Sequence, residues 1–133
     1  MTVLLDTDTC VFVLRGSKSV RDRLGAVDPE TVAFSVITLA ELHYGAACSA
    51  KPEANHQVVE DFAGGVVVLG LDQEIARLFG EFKSLLRKQG MLIDDFDLLI
   101  AATAHHYRLT LITHNLDHFS RLPELQLEDW VRP

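Results

Sequence analysis

Four short apolar runs, separated by stretches of helical pattern, restrict this chain more than any other feature. They are Thr2 to Leu5, Thr31 to Ser35, Val66 to Leu69 and Leu109 to Thr113. Each is strand-sized, and between them apolar residues recur at helical spacing. Strands that alternate with helices argue for an α/β fold with a parallel sheet. Leu125 to Leu127 offers a fifth strand. The chain has 133 residues, with no linker, repeat or low-complexity tract, so a single domain over 1–133 is expected.

The helical segments carry their own punctuation. Within Asp6-Thr7-Asp8-Thr9 an Asp or Thr caps a helix that Arg15-Gly16-Ser17 ends. A second helix covers Ser19 to Val27, and Asp28-Pro29-Glu30 is a turn. Ser35 or Thr38 caps a helix that repeats Leu39, Leu42 and Ala46 and carries Glu41. Lys51-Pro52 starts another, with Val58, Val59 and Phe62 as its apolar side, broken at Gly64-Gly65. Asp72 caps an amphipathic helix over Gln73 to Gln89, with Gly90 as its C-cap. Its face of Leu78, Phe79, Phe82 and Leu86 is wide enough to predict a share in a dimer interface, with Lys83, Arg87 and Lys88 beside it.

Ile93-Asp94-Asp95-Phe96-Asp97 opens the next helix, which runs to about Tyr107. Acids at a helix start suit its dipole, and this accounts for Asp94 or Asp95. Asp97 sits at the rim of a core formed by Leu98, Ile100, Ala101, Ala102 and Ala104. After the fourth strand, His114-Asn115-Leu116-Asp117-His118 reads as a polar loop and Phe119 to Leu122 as a short turn or helix.

Composition limits the function. No apolar stretch is long enough to span a bilayer, and Met1 to Asp6 has no basic leader. Cys10 and Cys48 lack metal-ligand spacing and read as buried thiols in a reducing compartment, so the cytoplasm is expected. A net charge of −7 argues against broad nucleic-acid binding but leaves room for a nuclease whose acidic pocket holds a cation. The six histidines show no zinc spacing and read as boundary residues. Trp130 reads as an anchor for the C-terminal tail.

The chemistry lies in separated acids. Asp6 and the Thr113 to Asp117 loop both follow strands, Glu41 follows the second strand, and Asp97 precedes the fourth. Ligands in open parallel sheets bind at that edge. Oxygen ligands converging there suit Mg²⁺ or Mn²⁺. Without a cation they would repel one another.

Three stretches carry a family resemblance over the whole chain. They are Leu4-Leu5-Asp6-Thr7-Asp8; Ser35 through Gly45 with Glu41 inside; and Asp97-Leu98-Leu99-Ile100-Ala101-Ala102 followed by Leu111-Ile112-Thr113-His114-Asn115. In this order they resemble a PIN domain of the VapC toxin type, from bacterial type II toxin–antitoxin pairs. The resemblance implies a three-layer α/β/α fold with a parallel sheet of four or five strands. It implies a magnesium-dependent ribonuclease with Asp6, Glu41 and Asp97 as metal-binding acids. It also implies a homodimer inhibited by a VapB-type antitoxin, as a heterotetramer or larger assembly. The family's fourth acid falls on Asn115 here, after Thr113; either Asn115 offers a neutral oxygen or Asp117 fills the place, with Asp8 a further secondary position. The ending Leu127-Glu128-Asp129-Trp130 resembles the subgroup that cuts initiator tRNA in its anticodon loop.

Two other readings compete. Asp6-Thr7-Asp8-Thr9 after a strand also resembles haloacid-dehalogenase phosphatases, with Asp6 as nucleophile and Asp8 as acid/base, but that leaves Glu41 idle. A PIN scaffold without catalysis is the third.

Overall fold

The computed structural model describes residues 1–131. Its strands are β1 (Val3–Leu5), β2 (Val32–Ser35), β3 (Val67–Leu69), β4 (Thr110–Ile112) and β5 (Leu127–Glu128). The helices are α1 (Thr7–Leu14), α2 (Lys18–Gly25), α3 (Val36–Ala47), α4 (Pro52–Gly64), α5 (Gln73–Lys88), α6 (Asp95–Tyr107) and α7 (Leu116–Phe119). All five strands pair in parallel, in the order β3-β2-β1-β4-β5. The first strand of the chain is therefore the centre of the sheet.

Successive strand residues point to opposite faces, and this splits the core in two. Leu4, Ala33 and Leu111 pack on one side with Ile75, Phe82 and Leu86 of α5 and Leu98 and Ala101 of α6. Leu5, Val32, Phe34 and Ile112 pack on the other with residues of α1 to α4, among them Cys10, Val13, Val20, Leu42 and Val59. The result is the expected three-layer α/β/α arrangement. Helix α6 is buried nearly all round, through Leu98, Ile100, Ala101, Ala102, Thr103 and Ala104. A helix apolar on every side needs neighbours on every side. Its one buried hydroxyl, on Thr103, is satisfied by donating to the Leu99 carbonyl at 2.8 Å.

Several expectations need correction. Ser35, not Thr38, caps α3: its Oγ accepts from the Ile37 N–H at 3.0 Å. Val58 is not part of the buried side of α4; it is 48% exposed, while Val59 one residue on is buried. Cys48, the C-cap of α3, is exposed; Cys10 is buried. Gln89 is the C-cap of α5, and Gly90 follows it at φ +66°, a conformation glycine adopts without steric cost. The short helix is Leu116–Phe119, so Leu116 to His118 belongs to it and not to a loop. The last strand lies two residues later than expected. On the apolar face of α5, Phe82 and Leu86 are buried in the core, and Leu78 and Phe79 pack against it half-buried.

Trp130 does anchor the tail. It is 3% exposed, its Nε1 donates to Glu128 Oε1 at 2.9 Å, and the Arg23 guanidinium, which also pairs with Glu128, lies 5.6 Å from the ring centroid. His105 and His106 face different ways: one meets Phe82 edge-on, the other bridges Asp72 and Glu74. Among the described residues no helix is long and apolar enough to cross a membrane.

Candidate active site

From β1 the sheet grows outward through β2 and β3, then the chain returns to add β4 and β5 on the far side of β1. The order in which strands are added thus reverses between β1 and β4, which run parallel and are in register at Leu5 and Ile112. Such a switch point leaves a crevice beyond the carboxyl ends of the two strands. Asp6 closes β1 there and Thr113 closes β4.

Asp6 is held firmly. It is the N-cap of α1, and its Oδ1 accepts from the Thr9 N–H at 2.8 Å. The Thr113 hydroxyl donates to it as well, while that same oxygen accepts from the Asn115 N–H at 2.9 Å. The carboxyl is 3% exposed, and burial raises its pKa against the pull of these hydrogen bonds. Glu41 comes from α3, half-buried, and Oε1 accepts from the Thr7 hydroxyl at 2.8 Å.

Asp97, in the first turn of α6, completes the group. Burial pushes its pKa up to about 7, assisted by the negative charges of Asp94, Asp6, Glu41 and Asp8. These acids are therefore close enough to repel one another, and no Lys or Arg among the described residues is ion-paired with Asp6, Glu41 or Asp97. Among those residues no group of three or more His, Cys, Asp or Glu side chains stands as a metal-holding cluster with the side chains as they lie. The crevice is thus an open, all-oxygen acidic rim. That donor set fits a hard divalent ion that keeps some of its waters, and does not fit zinc in a nitrogen–sulfur cage.

The secondary positions separate. Thr113 is fully buried and bonded to Asp6. Asn115 reaches the group only through its backbone; its Nδ2 meets His118 Nδ1 at 2.6 Å. Asp117 is exposed on α7 and is not among the charges acting on Asp6 or Asp97. Asp8 is exposed but acts on both. Sequence reasoning missed Asp94, whose charge acts on Asp97 more than any other, because a helix-start acid is satisfied by the dipole alone. It also missed Thr7 and Thr38; the signal was there, since Thr38 and Glu41 lie one helical turn apart.

Fold and rim define a class: a parallel α/β domain with clustered carboxylates at its switch point. The PIN domain family model matches residues 3–125, and the chain belongs to that family, in its VapC branch. It is 36% identical over 128 residues to the tRNA(fMet)-specific endonuclease VapC of Salmonella typhimurium, covering 96% of each chain. It is 38% identical over 129 residues to Ribonuclease VapC2 of Haemophilus influenzae, covering 96% of this chain and 97% of that one. The DNA-bound VapBC structure from Salmonella typhimurium superimposes with a TM-score of 0.92 at 35% identity, covering 98% of both chains. The phosphatase reading loses its ground, since Asp8 is exposed and the family is a different one.

Proposed function

We propose that this chain is the ribonuclease toxin of a type II toxin–antitoxin pair, cutting RNA by metal-assisted hydrolysis in the cytoplasm. The observation that carries the reading is the rim of mutually repelling carboxylates with no basic partner. Asp6 and Asp97 would hold one Mg²⁺ or Mn²⁺, with Glu41 as the third acid of the set. When bound, the ion supplies Lewis acidity and offsets charge on the scissile phosphate. Thr9 and Thr113 fix the orientation of Asp6 through their hydrogen bonds. A carboxylate of the rim accepts the proton of the attacking water. Thr113 would position that water or a second ion, and Asn115 would share in this once its amide turns from His118. Attack by water does not require the 2′-hydroxyl, so products carry 5′-phosphate and 3′-hydroxyl ends.

Initiator tRNA is the proposed substrate, on the strength of the Salmonella relative's name and of the ending Leu127 to Trp130. The proposed partner is a VapB-type antitoxin. A groove of about 330 Å³ between α1, α3 and α4, lined by Val11, Leu14, Leu42, Ala46, Val58 and Val59, reaches Glu41. An antitoxin helix seated there carries its C-terminal segment toward the rim, where an Arg or Lys replaces the metal against the carboxylates. The proposed assembly is a homodimer of this chain joined by antitoxin into a heterotetramer or larger; it does not rest on the apolar face of α5.

The test uses protein freed of antitoxin. Initiator tRNA should be cut in Mg²⁺ and left whole in excess EDTA, with elongator tRNAs cut more slowly. A 2′,3′-cyclic phosphate product or full activity in EDTA sinks the mechanism. No cleavage of any RNA would favour the non-catalytic scaffold.

A further inference from the structure

We propose that Thr38 and Thr7 form a hydroxyl relay that holds Glu41 for the divalent ion, which makes Thr7 a positioning residue of the site. This rests on the reading of Glu41 as a metal ligand.

The relay follows from counting protons. An ionised carboxylate only accepts, so the single hydroxyl proton of Thr7 goes to Glu41 Oε1, 2.8 Å away. Thr38 Oγ1 lies 3.1 Å from Thr7 Oγ1. With the Thr7 proton committed, Thr38 must be the donor in that contact. The bonds therefore run one way, Thr38 to Thr7 to Glu41. Thr38 is fully buried, and Thr7 is the first residue of α1.

The placement is specific. Thr38 and Glu41 are three apart on α3 and so share one face. Thr7 approaches that face from the helix that begins directly after Asp6. The relay ties the start of α1 to α3; the proposed ligand Asp6 caps the first and Glu41 lies on the second. One carboxylate oxygen of Glu41 is occupied by Thr7. The other accepts no protein hydrogen bond among the described residues.

Asp6 is treated the same way, with a hydroxyl from Thr113 and an amide from Thr9. Two of the three rim acids are thus oriented by hydroxyls before any ion arrives. Such outer-shell donors keep a ligand ionised and reduce the freedom it loses on binding. A purely structural reading is that the hydroxyls only join α1 to α3. In that case their removal would weaken the fold without regard to what stands at position 41.

The experiment is a double-mutant cycle read by Mn²⁺ calorimetry on the full, antitoxin-free chain. Thr7→Val should weaken Mn²⁺ binding about tenfold, and Thr7→Ser, which keeps the hydroxyl, should restore it. In a Glu41→Gln background, Thr7→Val should cost about nothing further. An unchanged affinity in Thr7→Val, or the same loss with and without Glu41, overturns the relay. If wild-type protein takes up no Mn²⁺, the metal-site reading itself fails, and the relay with it. Should Thr7→Val not fold, Thr38→Val tests the relay from its far end. There, roughly threefold weaker binding is expected, at the mild end for outer-shell changes, and unchanged binding overturns the proposal.

Discussion

Asp95 and Asp97 lie two residues apart in the same turn of α6, and their surroundings are opposite. Asp95 points to α5, where Lys83 Nζ pairs with it at 3.0 Å in a solvent-exposed contact. Asp97 points to the switch point, where its neighbours are Asp94, Asp6, Glu41 and Asp8, and its pKa climbs to about 7. The same side chain on the same helix is an ordinary surface ion on one face and a charge short of a partner on the other. The wider surface follows Asp95: Glu81 pairs with Arg77, Glu128 with Arg23, and Asp22 with Lys18. What sets the crevice apart is burial together with like charge: Asp97 lies among acids there, and among the described residues no Lys or Arg pairs with it, which is why that place is proposed for a cation.

The largest effect that sharpens this contrast is on cleavage. Asp6→Asn and Asp97→Asn should each lower the rate on the order of 10³-fold or more, because an amide is a poorer ligand and several kcal/mol of transition-state stabilisation go with the ion. Asp95→Asn should stay within about twofold, as an exposed pair predicts. Equal losses in Asp95→Asn and Asp97→Asn would erase the distinction.

Ion uptake comes next. Asp97 must lose its proton to act as a ligand, so Mn²⁺ affinity should rise by up to about tenfold from pH 5.5 to 6.5 and level off above pH 8. Calorimetry at several pH values reads this; a flat profile removes Asp97 from the ligand set. Asn115→Ala should cost about tenfold or less in cleavage, a milder loss than an acid's, since its amide is turned to His118. A loss as deep as that of Asp6→Asn would restore it to the first rank.

Stability without metal gives a smaller signal of definite sign. The folded pKa of Asp97, about 7, lies above its ordinary value of 3.8. Between those values the folded state holds a proton that the unfolded state has released. Stability therefore falls as pH rises from about 4 to 7. Asp97→Asn should melt with the wild type at pH 4 and exceed it at pH 8 by on the order of 1 kcal/mol, a figure reduced for the solvent screening of a half-buried group. A variant less stable than wild type at pH 8 would mean that Asp97 serves the fold. The smallest effect belongs to the other face: Lys83→Ala should shift stability by less than about 0.5 kcal/mol.

Alternation of short apolar runs with helical spacing made the α/β class legible, and the runs at Leu4, Phe34 and Leu111 fell on strands as expected. Boundaries were less legible where one residue type serves two structures. Ser35 and Thr38 are both good caps, and only packing against α1 makes Thr38 a buried donor. Val58 and Val59 are chemically alike, and rotation by one residue puts one of them in solvent. At the site, Asp6, Glu41 and Asp97 were readable because their flanking residues form recognisable patterns. Asp94 was not, because an acid at a helix start is accounted for by the dipole alone, and Thr7 was not, because its effect lies in its distance to another segment. On α5 the pattern shows an apolar face but not its neighbours: α6 covers Phe82 and Leu86, while Leu78 and Phe79 stay half-buried.

The central strand also has a consequence for synthesis. β1 is the first strand to leave the ribosome, yet its partner β4 lies about a hundred residues later. At about 5–20 residues per second, β1 waits roughly 5 to 20 s for that partner to be translated. Until then Asp6 has neither the Thr113 hydroxyl beside it nor Asp97 across the crevice. On the proposed reading, a nascent chain therefore lacks a complete rim until β4 has emerged, and any hazard to the RNA around it begins only then. An antitoxin made ahead of this chain has that interval in which to be present when the rim closes.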